Sequence, residues 1–302
     1  MRLRRTALAA VPLLVLAATA CAPVDDEDDA PDTSGSSESA GTPGSSDTPA
    51  ADDCAVDSLP LLEDGTLTIG TDSPAYEPWF VDNDPTNGKG YESAVAYAVA
   101  EELGFSKDQV TWVTVPFNTS YAPGAKKFDF DMNQVSITPE REKVVDFSSG
   151  YYSAAQAVIA LKGSPVADVT SIADLADYNL GAQTGTTSLT AIRDVIQPAN
   201  EPRVFEDTNA AKQALLNDQV DAILADLPTA FYISAVEIPD SAIVGQFQVD
   251  GDDAEEFGML FEKGSELVPC VDQALATLTD DGTIADLEQQ WLSDVVDVPT
   301  LP

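Results

Sequence analysis

The stretch FDFDMNQVSITPEREKVVDFSSGYY, residues 128–152, decides how the chain is read. Phe128, Phe130 and Met132 alternate with Asp129, Asp131 and Asn133, the period-two pattern of a half-buried strand. Pro139 ends regular structure, and Val144, Val145 and Phe147 resume an extended apolar run. Ser136, Thr138 and Arg141 are therefore expected in a short loop between two strands. Such a loop suits a carboxylate: a guanidinium donates two parallel N–H bonds to its oxygens, and Ser and Thr hydroxyls add neutral ones beside it. The plainer alternative is a solvated surface arginine.

Outward from this segment, strands and helices alternate. Toward the N-terminus, VTWVTV (110–115) and LTIGTD (67–72) read as strands. Between them YESAVAYAVAEELG (91–104) sets Ala94, Val95, Ala98, Val99 and Leu103 on one helical face, with Gly104 as the stop. SPAYEPWF (73–80) is a proline-punctuated aromatic loop, and FNTSYAPGAKK (117–127) a short loop and helix. Toward the C-terminus the strands are AQAVIAL, NLGAQ, RVFE, VDAILAD and AIVGQF, separated by helical stretches such as NAAKQALLND and LPTAFYISAV. The alternation predicts an α/β protein with parallel sheets covered on both faces.

Arg2, Arg4 and Arg5 precede an apolar run, residues 7–20, too short for a spanning helix and laid out like a secretory signal. Its end, ATAC, resembles a bacterial lipobox with Ala18 in the place usually held by Leu, which implies cleavage after residue 20 and lipidation of Cys21. Residues 22–53 contain no Leu, Ile or aromatic residue and cannot bury a core. Residues 21–53 are expected to be a lipidated, disordered linker that holds the folded part away from the membrane. With 14 Lys plus Arg against 52 Asp plus Glu, the net charge of −38 excludes nucleic acid as a partner. Lipidation of Cys21 leaves Cys54 and Cys270 as an even pair in an oxidising compartment, which predicts a disulfide; two free buried thiols are the alternative. The chain has no histidine, so His-dependent triads and His-ligated zinc are excluded, and neither a metal nor a cofactor is expected.

In order and spacing, GTD then YEPWF, GKGYESAVAYAVAEELG, SITPEREKVVDFS, QTGTTS, VDAILAD and DDGTIADLEQQWL resemble the extracellular solute-binding proteins of ABC importers, in the family that binds polar amino acids. The resemblance implies two Rossmann-like lobes joined by two hinge strands, residues 54–153 plus 248–302 and residues 154–247, with the ligand in the cleft between them. It implies a monomer that captures a free amino acid outside the cell, delivers it to the permease subunits and stays lipid-anchored to the outer face of the bacterial membrane.

Residue by residue, the resemblance gives Arg141 the ligand carboxylate, helped by Thr186 and Thr187 in GTTS, where a helix begins. Asp226 takes the ammonium, Ser136 and Gln134 the main-chain groups, and Tyr76 and Phe117 sandwich the side chain. Asn133 and Gln134 stand where small residues are usual, and Asp72 or Glu77 could face a basic side chain. The rival from another class is an enzyme of the same fold, a cyclic-acid dehydratase or peptidoglycan lyase, with Glu77 as general acid or base. A structural surface lipoprotein would leave the pocket residues unexplained.

Overall fold

In the computed structural model, residues 54–249, 254–292 and 298–302 are described; the expected signal segment, Cys21 and the linker lie outside them. The first lobe opens with β1 (Leu67–Thr71), wholly buried, followed by α1 (Tyr91–Glu102), β2 (Val110–Thr114), α2 (Phe117–Ser120), β3 (Phe130–Asp131) and β4 (Val145–Phe147). β5 (Tyr152–Ala154) leaves this lobe and leads to β6 (Gln156–Leu161) of the second. There follow β7 (Leu180–Gln183), α3 (Thr187–Thr190), β8 (Arg203–Phe205), α4 (Thr208–Leu216), β9 (Ala222–Asp226), α5 (Leu227–Tyr232) and β10 (Ser241–Phe247). β11 (Glu255–Phe257) returns, and β12 (Leu260–Glu262), α6 (Val268–Asp280) and α7 (Thr283–Leu292) complete the first lobe.

Each lobe has one five-stranded sheet, in the orders β2-β1-β3-β12-β4 and β10-β6-β9-β7-β8, and β5 pairs with β11 between them. The central strands of the second sheet, β6 and β9, are buried on both faces because they are largely apolar. On β6, Val158 and Ala160 enter one core cluster while Ala157 and Ile159 enter another, and β9 splits Ala222 and Leu224 from Ile223 in the same way. The first lobe packs Trp79, Phe80, Tyr91, Phe130, Phe257 and Phe261 in one core, with α6 and α7 against it.

The expected all-parallel sheets are corrected to mixed ones. β12 runs antiparallel to β3 and β4, and β6 antiparallel to β9 and β10. The reason is connectivity: a chain that enters a lobe on one strand and leaves it on another must run the two in opposite directions. The same constraint corrects the second crossing, which the expected lobe boundaries put at residues 247–248. β10 belongs to the second sheet along its whole length, and the strand that crosses back beside β5 is β11. The half-buried strand expected from residue 128 onward is also corrected, because β3 lies mid-sheet. Asp129 and Asp131 are as buried as the phenylalanines between which they alternate. Asp129 accepts from the backbone N–H groups of Leu62 (2.8 Å) and Thr68 (2.7 Å), so this acid holds strand β1 in place. On α1 the buried face is wider than expected and includes Glu92.

Residues 298–302, expected with the first lobe, lie instead on the second. Gln246 N–H donates to Pro299 O, Leu301 N–H donates to Gln246 O, and Leu301 is buried in the second core. Gly245 makes this approach possible, since a Cβ there would stand 2.5 Å from Leu301 Cγ.

Cys54 and Cys270 form a disulfide, with Cα atoms 5.4 Å apart and a sequence separation of 216. It ties the start of the folded chain to the buried face of α6. Replacing both cysteines by Ser should lower unfolding free energy by roughly 2–4 kcal/mol, through the lost restriction of the unfolded chain. In a protein lacking Cys21, thiol alkylation without reductant should label neither cysteine; labelling of both would contradict the bond.

Candidate functional site

A polar cavity lies between the lobes, at the ends of β1, β3, β7 and β9. Asp72, Tyr76, Phe117, Asn133, Gln134 and Ser136 form its wall from the first lobe. Thr186, Thr187, Ser188, Thr208, Asp226 and Thr229 form it from the second. This is where open α/β sheets place ligands, because loops and helix starts gather at strand ends. All the sequence-derived candidates except Arg141 and Glu77 line this wall.

Arg141 stands at the edge of the cavity and is only 8% exposed. Its guanidinium donates to Ser136 O at 2.6 Å on the first lobe and to Gly185 O at 2.9 Å on the second. The rings of Phe117 and Tyr121 face it, with centroids 5.7 and 4.9 Å away. Among the described residues it forms no ion pair. Burial pulls its pKa below the usual arginine range, and Tyr121, Glu255 and Asp226 act against that. Two of its five N–H groups are thus engaged by carbonyls, and the rest remain for a further acceptor. Gly185 has φ of +75°, and a Cβ on it would meet Tyr121 Oη at 2.1 Å, so a side chain there would break the contact between the lobes.

Thr186 is the N-cap of α3: its hydroxyl accepts from Leu189 N–H at 3.1 Å and donates to Gln183 O at 2.8 Å. Thr187 is the first residue of α3, which continues through a wider π-type turn, Ala191–Ile196. Its hydroxyl stands 3.3 Å from that of Ser136, across the cleft. Asp72 accepts from Phe117 N–H at 3.1 Å and so fixes the start of α2 and with it the Phe117 ring. Tyr76 Oη and Asn133 Nδ2 are buried in the wall without a protein partner.

Asp226 closes β9 and accepts from the Gln156 amide at 3.0 Å. Burial, and then the charge of Glu255, push its carboxyl up to about 8. Glu255 was not singled out from sequence, where it is one of several acids in GDDAEEF. On β11 it accepts from the Ser136 hydroxyl at 2.5 Å and from the Gln156 amide at 2.9 Å, one donor from each lobe. Gln156, fully buried, was missed as well, because it reads as the polar start of an apolar strand.

Glu92 is a third residue missed from sequence, as a first-turn acid looks like an ordinary helix start. It accepts from Gln134 N–H at 2.7 Å, from the Gln134 amide and from Tyr151 Oη. It thereby holds Gln134 in a left-handed conformation, φ of 48°, on the cavity wall. Nearby Asp131 is wholly buried with neither carboxyl oxygen partnered. Burial, then the charges of Glu92 and Asp72, hold its carboxyl well above the usual carboxylate range. Glu77, the general acid or base of the enzyme reading, is absent from the cavity wall. It accepts from Asp82 N–H at 3.3 Å and bonds Tyr232.

Two α/β lobes that share one polar cavity, with a buried cation at its edge and an acid on its wall, define a binding protein with its site in a cleft. Residues 67–294 match the model of the bacterial extracellular solute-binding proteins, family 3, and the chain belongs to that family. It is 28% identical over 234 residues to the L-cystine-binding protein TcyJ of Escherichia coli strain K12, covering 76% of this chain and 84% of that protein. Among solved structures, the arginine-, lysine-, histidine-binding protein ArtJ from Geobacillus stearothermophilus aligns with a TM-score of 0.61 at 25% identity. That match covers 78% of this chain and 96% of ArtJ. The ancestral amino acid-binding protein AncCDT-1, described as a precursor of cyclohexadienyl dehydratase, aligns with a TM-score of 0.63 at 33% identity, covering 76% and 95%. The chain's relatives are amino-acid-binding components of transporters.

The buried acids give folding stability a sign in pH. Burial raises the Glu92 carboxyl from 4.5 to about 7 against its three donors, so the native state keeps a proton that the unfolded chain loses earlier. Stability should therefore fall as pH rises from 4.5 to 7, by about 3 kcal/mol for this group. Glu92→Gln should remove that part of the slope in urea titrations at pH 5 and pH 8. Equal slopes in wild type and variant would contradict it.

Proposed function

We propose that the protein captures a free polar amino acid outside the cell and presents it, lobes closed, to the permease of an ABC importer. The observation that carries this is Arg141, a buried cation without an ion-pair partner among the described residues, held between carbonyls of both lobes. An α-carboxylate would supply the missing anion. The ammonium goes to Asp226 on the far wall. Tyr76 and Phe117 flank the side chain, Asn133, Gln134 and Asp72 set its shape and polarity, and Ser136, Thr186 and Thr187 complete the carboxylate end. Acids outnumber the cation around the cleft, with Asp72, Asp226 and Glu255 against Arg141, which favours side chains that are cationic or rich in donors. The ligands of ArtJ and TcyJ, basic amino acids and cystine, make these the first to test.

Catalysis is not part of this proposal: the acid or base that the dehydratase and lyase readings require, Glu77, stands off the cavity wall. Lipidation of Cys21 completes the proposal by tethering a monomer to the outer face of the membrane, which also counters the repulsion between so acidic a protein and anionic lipids.

A thermal-shift screen with free amino acids, cystine and ornithine should show stabilisation by a polar subset, with L-arginine among them. Calorimetric titration of Arg141→Ala should then show affinity lowered roughly 30-fold to several thousand-fold, the equivalent of about 2–5 kcal/mol. Arg141→Lys should recover little, since an ammonium cannot replace the planar fork. Affinity of Arg141→Ala near that of the wild type would overturn the carboxylate assignment.

A further inference from the structure

A second carboxylate, Glu255, stands beside Asp226, the acid assigned to the ligand ammonium. The Gln156 amide nitrogen donates to Asp226 Oδ1 at 3.0 Å and to Glu255 Oε2 at 2.9 Å, so these oxygens are no more than about 6 Å apart, the sum of the two bonds. The orientation of the amide is fixed by the Ser188 hydroxyl, which donates to Gln156 Oε1 at 2.6 Å and leaves only the nitrogen to face the acids. The two carboxylates come from different elements. Asp226 ends β9 in the second lobe, whereas Glu255 lies on the crossing strand β11. Around them stand Arg141 from the turn before β4, Tyr152 from β5, and the hydroxyls of Ser136 and Thr187. Arg141 is the one cation in this group, and its bonds go to carbonyls. An independent sign that the cavity is built for a ligand is Asn133, 6% exposed on the wall with its Nδ2 unpartnered.

We propose that Glu255 is a second ligand-binding acid of the cleft beside Asp226, that Asp226 holds a proton in the free protein, and that an incoming ammonium displaces this proton. The proposal rests on the amino-acid reading above. Burial, and then the charge of Glu255 across the shared Gln156 amide, disfavour ionisation of Asp226. The step balances simply. In the free protein Asp226 carries the proton, the ligand arrives with its ammonium intact, and the proton of Asp226 passes to the buffer. Bound, two carboxylates face one ammonium, with Gln156 and Ser136 still donating to them.

The sign in pH follows from the raised Asp226 carboxyl, at about 8. Below that pH each binding event releases close to one proton, so the association constant should rise with pH, by up to tenfold per unit between pH 6 and 8, and level off above. Asp226→Asn removes the group that carries the proton and should abolish the release. Glu255→Gln removes the neighbouring charge but not the burial, so it should lower the pH at which Asp226 ionises and reduce the protons released at pH 7. Neither effect is expected of a residue that only holds the hinge in shape.

The test is calorimetric titration of the wild-type protein with L-arginine, L-glutamine and L-cystine at pH 7, in phosphate and in Tris, whose ionisation enthalpies differ. Measured enthalpies that differ between the buffers by an amount equivalent to release of close to one proton, and by less in Glu255→Gln, support the proposal. Binding with the same enthalpy in both buffers would overturn it and leave the amino-acid reading standing. Absence of binding for these three and for every other amino acid in the thermal screen would overturn that reading, and this proposal with it.

Discussion

A guanidinium buried between two lobes is the constraint on which the rest of the cleft depends. Removing Arg141 from water costs several kcal/mol unless its donors and charge are compensated. The structure supplies compensation from both sides at once: Ser136 O from the first lobe, Gly185 O from the second, and two aromatic faces. Because the compensation is divided, separation of the lobes exposes the cation and breaks its contact with one of them. The glycine at 185, the ring of Tyr121 and the N-cap at Thr186 all serve to bring the second lobe within reach of this one side chain. The closed form is thereby defined chemically as well as sterically.

Opposite the cation, the molecule concentrates acids that it does not let ionise freely. Asp226, Glu92 and Asp131 are each pushed upward first by burial, and Asp226 and Asp131 also by a neighbouring carboxylate. Glu92 and Asp131 lie beneath the floor and Asp226 on the wall. The first two shape the site through Gln134 and β3, while Asp226 meets the cavity directly. A protein with net charge −38 thus keeps part of its acidity as stored protons close to the place where a cation would be bound. In the proposed function, ligand recognition and proton balance are properties of the same few side chains.

Much of this was legible in the sequence, and the exceptions have physical causes. Strands such as AQAVIAL and VDAILAD announce themselves because apolar runs that short fit only a strand buried on both faces. The cavity wall was legible through the family resemblance, which assigned Asp72, Asn133, Ser136, Thr187 and Asp226 to the cleft that they line. Strand direction was not, since periodicity carries no information about which way a strand runs. Glu255 was hidden because its role depends on β11 crossing between lobes, which its neighbours in GDDAEEF do not signal. Glu92 was hidden because an acid at a helix start has an ordinary explanation in the helix dipole. Leu301 was hidden because docking on β10 is decided by a glycine far away in sequence, Gly245.

The central claim is that the closed cleft is held by polar groups from both lobes that a zwitterionic ligand completes. Ligand should therefore shift the population toward the closed form only as far as it binds that form more tightly. Small-angle X-ray scattering of the wild-type protein, with and without saturating L-arginine, tests this most directly. The account predicts a smaller radius of gyration on saturation, and a profile for Arg141→Ala that the same concentration leaves unchanged. Saturation of the wild type, verified by calorimetry in the same samples, without any shift of this population toward the closed form would contradict it.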